Sequence, residues 1–176
     1  MGSATKAPKK PIALVGLMGA DKSTVGRRLA KRLGLPFIDT DREIEAAAGL
    51  SVAEIFERFG EAHFRISERR VIARLVEGPP RVIATGGGAF ADDETRALIL
   101  ARCTAIWLDV ELDTLAERVG RHDHRPLLNG KDPRATLAAL AEARNPSYAE
   151  AHIAIHGADP KYETTVARIV EALAAR

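Results

Sequence analysis

One short stretch limits the folds open to this chain more than any other. Gly16-Leu17-Met18-Gly19-Ala20-Asp21-Lys22-Ser23-Thr24 follows an apolar run, residues 11–15, that reads as a short buried strand. It precedes residues 25–33, which read as a helix. Strand, glycine-containing turn and Lys-Ser-Thr at a helix start is the context a phosphate-binding loop requires. There, backbone N–H groups converge on the anion and the helix N-terminus adds its positive end. Gly16, Gly19, Ala20, Asp21, Lys22, Ser23 and Thr24 are therefore the expected nucleotide-binding residues. Lys22 would reach the β- and γ-phosphates, and the Ser23 hydroxyl would face Mg²⁺. One position departs: the pattern G-x-x-x-x-G-K-[ST] places glycine before the lysine, and this chain has Asp21.

Strand and helix signals alternate through the rest of the chain. Residues 35–38 make a short strand running into Asp39-Thr40-Asp41, with a helix over 42–48 stopped by Gly49. Ser51 and Glu54 form a capping box for a long helix that bends near Gly60 and ends before Pro79-Pro80. A strand at 81–85 runs into Gly86-Gly87-Gly88; a helix from Asp92 or Asp93, a strand at 104–108 and a helix at 111–119 follow. The polar, basic segment 120–131 reads as a loop. Asp132-Pro133 opens a helix to about Arg144, and a strand at 152–156 precedes a final helix at 162–174. Five short apolar strands, each followed by helix, imply an α/β fold: a five-stranded parallel sheet with helices on both faces. Ligands in such sheets bind beyond the C-terminal ends of the strands, where every polar or glycine-rich candidate here falls.

At 176 residues the chain suits one domain, assigned to 11–176, with 1–10 as a basic, Pro-containing disordered arm. A net charge of +2 gives no reason to expect a nucleic-acid partner. The single cysteine, Cys103, excludes an intramolecular disulfide and a cysteine metal cluster, and its apolar surroundings mark it as a packing residue. No apolar run reaches transmembrane length and no apolar leader opens the chain, so a cytoplasmic protein with no membrane partner is expected.

Asp39 and Asp41, two apart at a strand end, suit Mg²⁺ binding, acceptance of a substrate proton, or simple helix capping. The triple glycine admits close approach of a ligand to the backbone, or is a flexible turn. Segment 120–132 would be a lid bringing Arg125 to the phosphates, with Arg144 a second arginine beyond it. His122 and His124 lack a third metal ligand and read as solvated.

Six stretches then add up to a resemblance: residues 16–26, Phe37-Ile38-Asp39-Thr40-Asp41, Phe59-Gly60-Glu61 with Phe64-Arg65 and Glu68, Thr85-Gly86-Gly87-Gly88, Arg125-Pro126-Leu127-Leu128, and Arg144 with Tyr148 and Ala151. Together, in order, they resemble the shikimate kinases over nearly the whole chain. The resemblance implies a phosphate-loop kinase fold with a substrate-binding segment at about 40–68. It also implies transfer of the γ-phosphoryl group of ATP to the 3-hydroxyl of shikimate, a step towards chorismate and the aromatic amino acids, by a monomer using Mg²⁺. Asp41 would bind the shikimate hydroxyls and act as base, making Asp41, Lys22 and Arg125 the catalytic set. Arg65 and Arg144 would clamp the carboxylate, and Gly87 would meet a ring hydroxyl through its backbone. Ser23 and Asp39 would hold Mg²⁺, Arg118 would stack on the adenine, and Arg125 would also contact the nucleotide.

The family has glycine where this chain has Asp21. That backbone position calls for a positive φ, which Asp adopts at a cost. Its carboxylate would also lie near the β-phosphate, where two unit charges about 4 Å apart repel by roughly 4 kcal/mol at an effective dielectric of 20. Escape routes are a side chain turned to solvent, a protonated carboxyl, or a pair with Lys22. Three other readings stand beside an active shikimate kinase: an impaired one, a non-catalytic shikimate-binding homologue, and a kinase of another small polyhydroxy acid such as gluconate.

Overall fold

The structure, a computed structural model, describes residues 6–121, 130, 132–157 and 159–176. Arg125, His122, His124 and most of the expected lid lie outside the described residues, as do the first five residues of the expected arm. Five strands, β1 (Ile12–Val15), β2 (Phe37–Asp39), β3 (Val82–Ala84), β4 (Thr104–Asp109) and β5 (Ile153–His156), form one sheet in the order β2-β3-β1-β4-β5. Every pairing is parallel, with Ile12 in register with both Val82 and Thr104. Seven α-helices are present among the described residues: α1 (Lys22–Leu33), α2 (Thr40–Ala48), α3 (Val52–Val76), α4 (Asp93–Arg102), α5 (Leu112–Gly120), α6 (Pro133–Tyr148) and α7 (Tyr162–Ala174).

Ile12, Ala13, Leu14 and Val15 are all buried, as expected of a central parallel strand covered on both faces. The main core gathers β1, β3 and β4 with Leu29, Ile72, Ile99, Leu137 and Ile169 from the surrounding helices. Cys103 lies in this core, and burial pushes its thiol up to about 12, so it packs and does not react. A smaller cluster, Ile44, Ile55 and Phe64, joins α2 to α3. After β1 the chain crosses to β2 on one side, and after β3 it crosses to β4 on the other, so a crevice opens beyond the C-terminal ends of the neighbouring strands β1 and β3.

Several boundaries differ from those read in the sequence. The strand expected at 35–38 lies at 37–39, and α2 begins at Thr40 because the Asp39 side chain accepts from the backbone N–H groups of Asp41 and Arg42. The long helix keeps its expected capping box at Ser51 and Glu54, and bends at Gly60, whose φ of 83° and ψ of 171° are not helical. The largest difference is α6. It runs past the expected end at Arg144, through Pro146, to Tyr148. Proline weakens that last turn by removing an N–H. The turn is held from outside: Tyr148 is fully buried, its ring near those of Phe90 and Trp107, and its hydroxyl donates to the Gly87 carbonyl.

Candidate active site

The loop between β1 and α1 ends at Asp21, the one non-glycine residue with positive φ among those described (φ 61°, ψ 39°). Asp21 stands at the N-cap of α1 without capping it through its side chain. Its carboxylate turns sideways, accepting from the Tyr162 hydroxyl at 2.6 Å and pairing with Arg118 Nε at 3.3 Å. The Lys22 ammonium donates to the Gly16 and Leu17 carbonyls at 2.8 and 3.0 Å. The acid is thus held by a hydroxyl and a guanidinium and is not turned to open solvent.

Ser23 and Asp39 meet across the crevice. The Ser23 hydroxyl donates to Asp39 Oδ2, while Asp39 Oδ1 caps α2. Capping of α2 and the bond from Ser23 are therefore divided between the two oxygens of one carboxylate. A hydroxyl beside a carboxylate is a hard oxygen donor pair suited to Mg²⁺, which commonly takes one or two protein ligands and completes its shell with water and phosphate oxygens.

Asp41 lies one step further, in the first turn of α2. Its Oδ1 is shielded from solvent and has no hydrogen-bond partner among the described residues. Burial, assisted by the negative charge of Asp39, raises the Asp41 carboxyl to about 6; Lys22 and Arg65 oppose the rise. An acid at that value is ionised at neutral pH yet more basic than an ordinary Asp, which suits acceptance of a proton. Glu68, 1% exposed, has the same predicament: Oε2 is buried and without a partner among the described residues, and burial lifts the carboxyl to about 7 against the pull of Arg65.

The triple glycine is needed because side chains of the site lie against it. A Cβ on Gly86 would come within 2.7 Å of Glu68 Oε2 and 2.8 Å of Asp41 Oδ1. One on Gly88 would come within 2.3 Å of the Arg65 guanidinium. Arg65 also pairs with Glu68 at 2.9 Å and Glu61 at 3.3 Å. The Gly87 carbonyl is already taken, receiving bonds from Arg144, at 3.1 Å, and from Tyr148. Of Gly87, the backbone N–H is thus the group left for a substrate oxygen.

Two cavities result. One is lined by the loop residues Gly19 to Thr24 apart from Ala20, with Asp39. The other is lined by Arg65, Glu68, Gly88 and Arg144, with Phe56 and Phe64 as apolar walls. Met18, Asp41, Gly86 and Gly87 line both. A third hollow beside the loop is lined by Ala20, Arg118, Ile155, Asp159 and Tyr162 among others; it holds the arginine that the resemblance assigns to adenine, and Arg118 also donates to the Gly19 carbonyl at 3.1 Å. The described site residues expected from the sequence thus come together. Glu68 and Tyr148 belong to the resembling stretches without an assigned role; their spacing from Arg65 (i, i+3) and Arg144 (i, i+4) on single helices is the signal that finds them. Met18 falls within the 16–26 stretch, and Tyr162 ends the 158–162 turn that the resemblance places at the adenine pocket.

Comparison with known proteins gives a consistent picture. A family model described as shikimate kinase matches residues 18–174. The chain is 56% identical to a shikimate kinase of Caulobacter vibrioides over 164 residues, covering 93% of this chain and 82% of that one. It is similar in structure to the shikimate kinase from Acinetobacter baumannii solved in complex with shikimate, with a TM-score of 0.93 and 35% identity, covering 99% of this chain and 98% of that one.

Proposed function

The chain belongs to the shikimate kinase family, and we propose that it transfers the γ-phosphoryl group of ATP to the 3-hydroxyl of shikimate. The observation that carries this reading is the position of Asp41. It stands on the wall common to the phosphate-loop cavity and the cavity lined by Arg65 and Arg144. A hydroxyl beside Asp41 would face the terminal phosphate from the other side of that wall.

Arg65 and Arg144 would take the substrate carboxylate, which planar guanidinium groups bind through paired hydrogen bonds. That fixes the ring and brings the 3-hydroxyl to Asp41. The Asp41 carboxylate accepts the hydroxyl proton as the oxygen–phosphorus bond forms and the bond to the β-phosphate oxygen breaks, releasing ADP. Lys22 and the loop N–H groups stabilise charge on the phosphates. Ser23 and Asp39 would hold Mg²⁺, which when bound neutralises phosphate charge. Arg118 is assigned to the base. Arg125 is assigned to the transferring phosphoryl group and, with the lid at about 120–132, lies outside the described residues. We further take the protein as a cytoplasmic monomer with no nucleic-acid or membrane partner; among the described residues no helix is long and apolar enough to cross a membrane.

A coupled ADP-release assay with shikimate and gluconate in parallel, with and without Mg²⁺, tests the proposal. Turnover is expected with shikimate and Mg²⁺ alone. Turnover with gluconate only would reassign the acceptor, and shikimate binding without turnover would make the protein a non-catalytic homologue.

A further inference from the structure

Asp21 is the one residue of the site whose charge opposes the proposed reaction, and its surroundings suggest how the loop accommodates it. The carboxylate lines the phosphate cavity, yet its Oδ2 is engaged by Tyr162 of α7 at 2.6 Å and Arg118 of α5 at 3.3 Å. Both partners line the neighbouring hollow. Tyr162 is itself held, because Arg28 lies over its ring at 5.0 Å and pairs with Glu163. Arg118 is fixed at its other end by the Gly19 carbonyl. A tyrosine hydroxyl and a guanidinium therefore reach the acid from two helices distant in sequence.

We propose that Asp21, Tyr162 and Arg118 form a clamp that draws the acid off the phosphate path and makes Tyr162 a positioning residue for nucleotide affinity. The inference rests on the kinase reading, since it concerns a nucleoside phosphate in this loop. The hydroxyl and the guanidinium share the carboxylate charge, so the acid repels phosphate far less than an unpartnered one. Arg118 serves two neighbours, the Asp21 carboxylate and the nucleotide base. Tyr162 contributes through Asp21, and its hydroxyl matters only while that acid is present.

The distinguishing measurement is a double-mutant cycle on ADP affinity, read by calorimetry on the full chain and on Tyr162→Phe, Asp21→Gly and the double variant. Loss of one hydrogen bond to a charged group should weaken ADP about tenfold for Tyr162→Phe in the parent. The same change in the Asp21→Gly background should alter affinity by less than about twofold, because the acid it positions is gone. Asp21→Gly alone should tighten ADP by less than about tenfold, not by the roughly thousandfold that an unshielded charge implies. Shikimate affinity, read in the same samples, should not move. An equal loss in both backgrounds would overturn the clamp, since Tyr162 would then act on the nucleotide directly. So would no loss in the parent. Failure of all four proteins to bind ADP would overturn the kinase reading and the clamp with it.

Discussion

Replacing Gly88 by alanine separates the space a glycine leaves from the backbone freedom it provides. Gly88 has φ −103° and ψ −3°, values alanine adopts without strain. The added methyl carbon would lie 2.3, 2.6 and 2.8 Å from Nη2, Cζ and Nη1 of Arg65. Ordinary contact distances begin near 3.5 Å, so the guanidinium must retreat by about 1 Å. It is the tip of a flexible side chain, so the fold should lose little, and alanine recovers about 0.4–1 kcal/mol by restricting the unfolded chain. The cost falls on the proposed carboxylate clamp of Arg65 and Arg144. A hydrogen bond to a charged group contributes about 1.5–3 kcal/mol, which converts to a roughly 10- to 100-fold rise in the KM for shikimate. Steady-state kinetics with each substrate varied, alongside thermal unfolding, measure this directly. The KM for ATP should hold, and Tm should shift by only a few degrees. An unchanged KM for shikimate would refute the placement of Arg65 in the acceptor site; a large fall in Tm would show that Gly88 is needed for folding instead.

Two further substitutions address the carboxylate proposed as the base and the core. Asp41→Asn should lower turnover about 10²- to 10⁴-fold. It should also stabilise the protein at pH 8: the parent's Asp41 has its folded value raised from 3.8 to about 6. The parent's stability from a protonated Asp41 is fully present below pH 3.8 and lost as pH rises through about 6, whereas asparagine stays neutral. The Tm gap between variant and parent should therefore open between pH 4 and pH 8, and a constant gap would contradict the assigned burial. Gly26→Ala places a methyl 2.6 Å from the Phe37 ring. Overpacking costs about 1–3 kcal/mol against alanine's helix advantage of about 1 kcal/mol, so the urea midpoint should fall with unchanged slope; a rise would mean Phe37 moves aside freely.

The sequence revealed those parts of the molecule in which local signals and global topology agree. The loop at 16–24, the acids after β2 and the glycines after β3 all sit at strand ends, so one rule placed them together. Helix α6 continues beyond Arg144 through Pro146, a local stop signal, and what overrides it is the burial of Tyr148 in a core assembled from other elements. The strain at Asp21 was legible from the glycine pattern. Its partners were not: Tyr162 lies 141 residues away, and nothing in the spacing links α7 to the first loop. The triple glycine gave close approach as one reading. Only the fold shows that at two of its three positions the approaching groups are the protein's own carboxylates and guanidinium.

Met18, Asp41, Gly86 and Gly87 face both cavities, and this common wall has a consequence for inhibition. A single molecule bearing a carboxylate for Arg65 and Arg144 at one end and an anionic group for the loop at the other would need no long linker to span the partition. Joining the two fragments makes the second contact intramolecular, so its affinity gains from effective concentration without any new interaction. The fragment crossing at Asp41 should carry a hydrogen-bond donor, since Oδ1 there has no partner among the described residues.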